Sequence, residues 1–222
     1  MSSTVVVAMD GPSGAGKSST ARGVAVRLGL RYLDTGAQYR AIAVWMLRHG
    51  VDLTDPGAVA ARVGEPELVS GTDPAHPGIT LDGEDVSGPI RSAETTAAVS
   101  AVAAVPEVRH RLVQMQRSEI GDGGIVVEGR DIASVVAPDA AVKVYLTADT
   151  GARAVRRTVE QGGDDSGVTA TEADLLRRDR ADSRTTPLEL PDGAVHIDTT
   201  HATLDQVIER VVSLVERAVV TP

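Results

Sequence analysis

Lys17 and Lys143 are the only lysines among 22 basic residues, and arginine supplies the rest. Lys17 stands in a run of small residues, Gly11-Pro12-Ser13-Gly14-Ala15-Gly16-Lys17-Ser18-Ser19. From Gly11 to Ser18 the spacing is G-x-x-x-x-G-K-S, and each part suits a phosphate. The glycines let backbone N–H groups wrap the anion, the ammonium reaches the β and γ phosphates, and the Ser18 hydroxyl binds Mg²⁺. A compact point charge fits inside such a loop where a forked guanidinium does not. The run from Gly11 to Ser19 is expected to cradle the phosphates of a nucleotide.

Three further clusters have residue types suited to anions. In "DTGAQYR", Thr35, Tyr39 and Arg40 fall within about one helical turn and can face one pocket, where Arg40 could grip a second phosphate. A capped helix start with a surface arginine is the alternative. In "EGRD", Glu128, Arg130 and Asp131 crowd one short segment; Glu128 could hold Mg²⁺ through water, or the group could be a local ion pair. In "RRDRADSRTTPL", Arg178 and Asp182 share a helix face with Arg184 close behind, which suits either a solvated salt-bridged face or contacts to a transferring phosphoryl group. The five histidines have no metal-ligand spacing.

These groups need elements to hold them. "TVVVAM" before the glycine run is an apolar, β-branched segment suited to a buried parallel strand, and "KSSTARGVAVRLG" has helical apolar spacing with Gly29 as its stop. Strand, loop and helix come in the order a phosphate-binding P-loop requires, with the helix dipole at the anion. Further strands are expected in "RYLDTG", "GIVVEGRD", "AAVKVYLTAD" and "GAVHIDTT", and helices in "AQYRAIAVWMLRHG", "RSAETTAAVSAVAAV" and "PEVRHRLVQMQRSEI". Thr169-x-x-Glu172 and Thr203-x-x-Gln206 read as capping boxes that open two more helices. Strands alternating with helices predict an α/β P-loop fold of three layers with a central parallel sheet. Between residues 52 and 88 the texture changes to Pro, Gly and Asp with short strand-like pieces, "PELVSG", "GITLDG" and "EDVSG", which predict a small inserted antiparallel lobe. Ligands in parallel sheets gather at the carboxyl ends of strands, where the polar clusters around Asp10, Asp34 and Glu128 fall.

Composition narrows the class. A chain of 222 residues with 42% hydrophobic and 24% charged residues suits one domain with a full core, built from aliphatic side chains because aromatics are only 2%. Zero cysteines exclude disulfides and thiolate chemistry, and a net charge of -9 argues against a nucleic-acid surface. No apolar run approaches the ~20 residues of a membrane span. A cytoplasmic monomer with small-molecule partners is expected.

With those residues in view, the chain resembles the bacterial cytidylate kinase family along nearly its whole length. "DGPSGAGKSS", "LDTGAQYR", "LDGEDVSGPIRS", "VSAVAAVPEVR", "VVEGRDI", "APDAAVKVYL" and "DSRTTPL" look like successive family signatures, and the "GEDVS-x-x-IR" segment is the most specific. The resemblance implies one kinase domain over residues 1–222, with an inserted NMP-binding lobe over 52–103 and a short lid over 151–168 that carries Arg153, Arg156 and Arg157, the last placed at ATP. It implies transfer of the ATP γ-phosphoryl group to CMP or dCMP with Mg²⁺. Ser100, Arg109 and Asp131 match the cytosine-reading set, Arg178 and Asp182 the sugar contacts, and Arg40, Arg130 and Arg184 the phosphate clamp. Lys17, Arg130, Arg178 and Arg184 would act on the transfer itself.

Two departures stand out. Ala133, Ser134 and Ala137 replace the usual Gly, Thr and Phe, and "ADSRTTPL" is one residue short of the usual spacing, which sets Arg180 beside Arg184 as an alternative clamp. Rival readings are a related kinase acting on UMP, AMP or shikimate, and a P-loop nucleotide switch.

Overall fold

The computed structural model describes residues 4–160, 167–183 and 190–220. Its frame is a five-stranded sheet of β1 (Val6–Asp10), β2 (Arg31–Asp34), β6 (Ile125–Glu128), β7 (Val142–Thr147) and β8 (Val195–Asp198), in the order β2-β6-β1-β7-β8. Every neighbouring pair is parallel. The central strands are apolar on both faces, as a sheet covered on both sides demands. Val5, Val7 and Met9 pack against α1 (Lys17–Leu28) and α8 (Leu204–Val220), whereas Ala8 and Val127 join Ile120 of α5 (Pro106–Ile120) on the other face. The three expected layers are present.

The register sets the site. Asp34 is level with Glu128, and Glu128 with Met9, so the carboxyl ends of β2, β6 and β1 open at one edge. Gly11 leaves β1 there at φ +145°, and a Cβ on it would lie 2.1 Å from the Leu146 carbonyl oxygen. Gly11→Ala is therefore expected to lower stability by roughly 2–4 kcal/mol, combining backbone strain with overpacking. Urea unfolding measures it, and a loss below about 1 kcal/mol would mean that the loop relaxes freely.

Between α2 (Thr35–Arg48) and α5 the chain forms a second sheet of three antiparallel strands, β3 (Leu68–Ser70), β4 (Ile79–Leu81) and β5 (Glu84–Asp85). Asp82 and Gly83, both at positive φ, close the β4–β5 hairpin in two residues. Asp82 also accepts hydrogen bonds from the Trp45 indole at 2.9 Å and from the Glu67 N–H at 2.7 Å, tying the hairpin to α2. This sheet shares a core with α2, α4 (Ala93–Ala103) and α5, including Trp45, Leu81, Val102 and Leu112.

Several elements were not anticipated, among them a 3₁₀ turn at Pro89–Arg91 and the helix α6 (Thr150–Glu160), which takes up much of the stretch expected as a lid. A short helix, α3 (Pro56–Arg62), opens on an Asp55 side-chain cap with Pro56 in its first turn, a signal obscured by the Pro and Gly around it. A π-helical turn spans Ile132–Val136. One capping expectation is corrected: α7 (Val168–Asp182) starts at Gly167 without a side-chain cap, so Thr169 lies inside the first turn and Thr169-x-x-Glu172 does not open the helix. The other box forms reciprocally, Gln206 N–H donating to Thr203 Oγ1 at 3.3 Å and Thr203 N–H to Gln206 Oε1 at 2.9 Å.

Candidate active site

Gly14 and Gly16 adopt positive φ, which turns the loop after β1 so that Lys17 and Ser18 begin α1. The Lys17 ammonium folds back on the loop, donating to the Pro12 carbonyl at 2.9 Å. Arg153 Nη1 of α6 (Thr150–Glu160) donates to the Ser13 carbonyl at 3.0 Å, and Thr199 Oγ1 after β8 donates to the Ala15 carbonyl at 3.1 Å. The loop is thus pinned from α6 and from β8.

Carboxylates line the floor. Glu128 accepts a hydrogen bond from the Tyr32 hydroxyl at 2.8 Å, and its pKa is pushed up by burial and by Asp34, against the pull of Lys17 and a hydrogen bond with Ser18. Lys17 is shifted down to about 8 by burial and by the charge of Arg130. Asp10 accepts from the Ile132 and Ala133 N–H groups, both at 2.8 Å, and burial raises it to about 6. It therefore anchors the π-turn that follows Asp131.

Arginines crowd the wall opposite. Arg178 is lowered to about 10 by burial and then by the charges of Arg130 and Arg40, with Asp182 opposing and Arg157 adding to the repulsion. Arg130 meets Asp182 at 2.7 Å, and Arg40 meets Asp34 at 3.5 Å. Arg40 Nε, Arg130 Nη1, Arg178 Nε and the Tyr39 hydroxyl are all buried without a hydrogen-bond partner. Buried like charges and unsatisfied donors in one place are costly, and an anion relieves both.

The remaining sequence candidates take separate places around these groups. Arg109 pairs with Asp131, and both act electrostatically on the Tyr39 phenol, whose pKa burial raises to about 12. Ser100 Oγ donates to Asp182 at 3.2 Å, so it joins the Arg178 side of the site. The Thr35 hydroxyl donates to the Glu128 carbonyl at 2.8 Å and ties α2 to the end of β6. Arg156 grips Thr199, its Nη1 donating to Thr199 Oγ1 at 2.9 Å. Arg184 lies outside the described residues. Its rival Arg180 is exposed on α7, and that helix ends at Asp182 with Ser183 as its C-cap.

Asp179 was missed. It accepts from Arg153 at 2.6 Å and faces Arg130 at 3.7 Å, yet in the sequence it disappears into the "RRDRAD" charge run.

The family model for cytidylate kinase matches residues 7–217. The chain belongs to the cytidylate kinase family. A cytidylate kinase of Streptomyces avermitilis is 58% identical over 216 residues, covering 96% of this chain and 93% of its own. One of Streptomyces coelicolor is 59% identical over 216 residues with the same coverage, and one of Nocardia farcinica 53% over 224 residues, covering 98% and 96%. Membership in the cytidylate kinase family makes the chain a phosphotransferase that uses a nucleotide. It agrees with the small antiparallel sheet, where the most specific signature of the resemblance lies. No helix among the described residues is long and apolar enough to cross a membrane.

Proposed function

We propose that this chain transfers the γ-phosphoryl group of ATP to CMP or dCMP, releasing ADP and CDP or dCDP. The observation that carries the reading is the cluster of half-buried arginines, Arg40, Arg130 and Arg178, each with one buried, unsatisfied nitrogen, at the carboxyl end of the sheet beside the P-loop. A phosphate loop alone suits any nucleotide binder; a second, half-buried cationic site next to it suits an acceptor phosphate.

Pro12 to Ser19 would hold the ATP phosphates, with Arg157 closing from the lid side. Phosphoryl transfer needs in-line positioning and charge neutralisation more than covalent chemistry. The Lys17 ammonium would leave the Pro12 carbonyl for the β and γ phosphates. Arg40, Arg130 and Arg184 would clamp the acceptor phosphate, with Arg178 and Asp182 on its sugar. The residues also fit Mg²⁺: Ser18 and Glu128 offer hard oxygen donors at the helix N-terminus, and the ion would neutralise charge on the β and γ oxygens.

Cytosine presents an amino donor beside ring acceptors. Asp131 accepts from N4 in this reading, while Arg109 and Ser100 donate to N3 and O2. Uracil reverses that edge and leaves buried groups unpaired, so discrimination should be strong.

In a coupled assay, ADP release should depend on CMP; slow hydrolysis indifferent to CMP would instead favour a nucleotide switch. The pH profile follows from Lys17. Its protonated form binds phosphate and dominates below about 8 in the free protein. kcat/KM for ATP should therefore hold level to about pH 7, halve near pH 8 and fall about tenfold by pH 9, because this ratio reports the free enzyme. A profile level through pH 9.5 would contradict the lowered pKa of Lys17.

A further inference from the structure

We propose that Asp179 is a positioning residue that holds a donor-side and an acceptor-side arginine on one carboxylate. This rests on the transfer reading above. Asp179 Oδ2 accepts from Arg153 Nη1 at 2.6 Å, and the same nitrogen donates to the Ser13 carbonyl of the P-loop at 3.0 Å. Its other oxygen, Oδ1, faces Arg130 Nη1 at 3.7 Å, and Arg130 Nη2 reaches Asp182 at 2.7 Å, which takes Ser100 of α4. One polar chain therefore runs from the donor loop through Arg153, Asp179, Arg130 and Asp182 to the inserted segment.

The gap in that chain is informative. At 3.7 Å the Oδ1 to Nη1 contact is too long for a hydrogen bond, and Asp179 Oδ1, Arg130 Nη1 and Arg153 Nε are all buried without hydrogen-bond partners. A salt bridge serving stability alone would close this contact, since unsatisfied buried donors are costly. The contact stands open at the centre of the chain, between the groups assigned to the two phosphates. When both phosphates are bound, Arg130 closes onto Oδ1, and a single carboxylate fixes the separation of two guanidiniums that otherwise repel. Asp179 then acts on alignment for transfer, not on the affinity of either nucleotide.

The test is Asp179→Asn, with kcat and both KM values measured beside the thermal midpoint. The expected result is a kcat about 30-fold lower or more, as lost alignment would give, with KM for ATP and CMP each within about threefold. Arg153→Gln and the double variant complete a cycle: kcat of Arg153→Gln/Asp179→Asn should match that of Arg153→Gln within about twofold, because the bridge between Arg153 and Arg130 is already broken once either end is removed. Should Asp179→Asn alone fail to fold, the double variant removes the stranded charge and still gives that comparison. A folded Asp179→Asn with kcat within threefold of the parent, a loss that appears only in KM, or losses that multiply in the double variant would overturn the proposal. An unmodified protein that releases no CMP-dependent ADP would overturn the transfer reading and this proposal with it, which sets that failure apart.

Discussion

Lys17→Ala is expected to lower kcat for CMP phosphorylation by about a hundredfold to a thousandfold while leaving the fold intact. The ammonium touches one carbonyl of its own loop, Pro12 at 2.9 Å, and no hydrophobic core depends on it. It is an electrostatic group aimed where charge builds up, and removing one such preorganised donor from an enclosed site costs about that much. Lys17→Arg should fail as well. The loop that wraps the ammonium is closed by Gly14 and Gly16 and pinned at Ser13 and Ala15, so a planar fork has no room to enter. Near-normal turnover in either variant, with an unchanged circular dichroism spectrum, would remove the phosphate role of the loop. A lysine at position 17 acquires a reason here: in a chain that uses arginine at nearly every other basic position, it stands where only a point charge fits.

Asp131→Ala is expected to lower kcat/KM for CMP by about 2 kcal/mol or more, roughly 30-fold, as the loss of a buried charge-assisted bond does. Asp131 is 7% exposed, pairs with Arg109, and precedes the π-turn that Asp10 anchors. The substitution strands Arg109 and removes the acceptor proposed for the cytosine amino group. An exposed control, Asp73→Ala, should change the ratio by less than about twofold. Equal losses in the two variants, measured by steady-state kinetics at saturating ATP, would count against base reading by Asp131.

The parallel frame was legible because its signals are local and strong. β1 and β6 are apolar up to their closing Asp10 and Glu128, Gly29 caps α1 at φ +63°, and Pro106 opens α5 at the position read from the sequence. The inserted sheet was legible from its turns, above all Asp82-Gly83. What escaped depends on long-range placement. Asp179 is one acidic residue in a mixed-charge helix, and nothing in its spacing tells that its carboxylate meets Arg153, 26 positions away. The role of Asp10 is hidden in the same way, since its partners Ile132 and Ala133 are more than a hundred positions distant and are backbone groups without a side-chain signature. Thr169-x-x-Glu172 shows the opposite error, a local pattern overridden when the helix began at Gly167. Ser100 was grouped with Arg109 and Asp131 through family resemblance, and the geometry sets it against Asp182, at the border between the proposed base and sugar contacts.

Acceptor choice is the property on which the whole account converges, since the P-loop permits many kinases and only the second site selects one. The direct measurement is kcat/KM for CMP, dCMP, UMP, AMP and shikimate at saturating ATP and Mg²⁺, followed by ADP release. The account predicts that CMP or dCMP leads and that UMP trails by about a hundredfold or more, because uracil leaves the Arg109 and Asp131 pair without its complementary edge. Equal ratios for CMP and UMP, or a lead for AMP or shikimate, would contradict it.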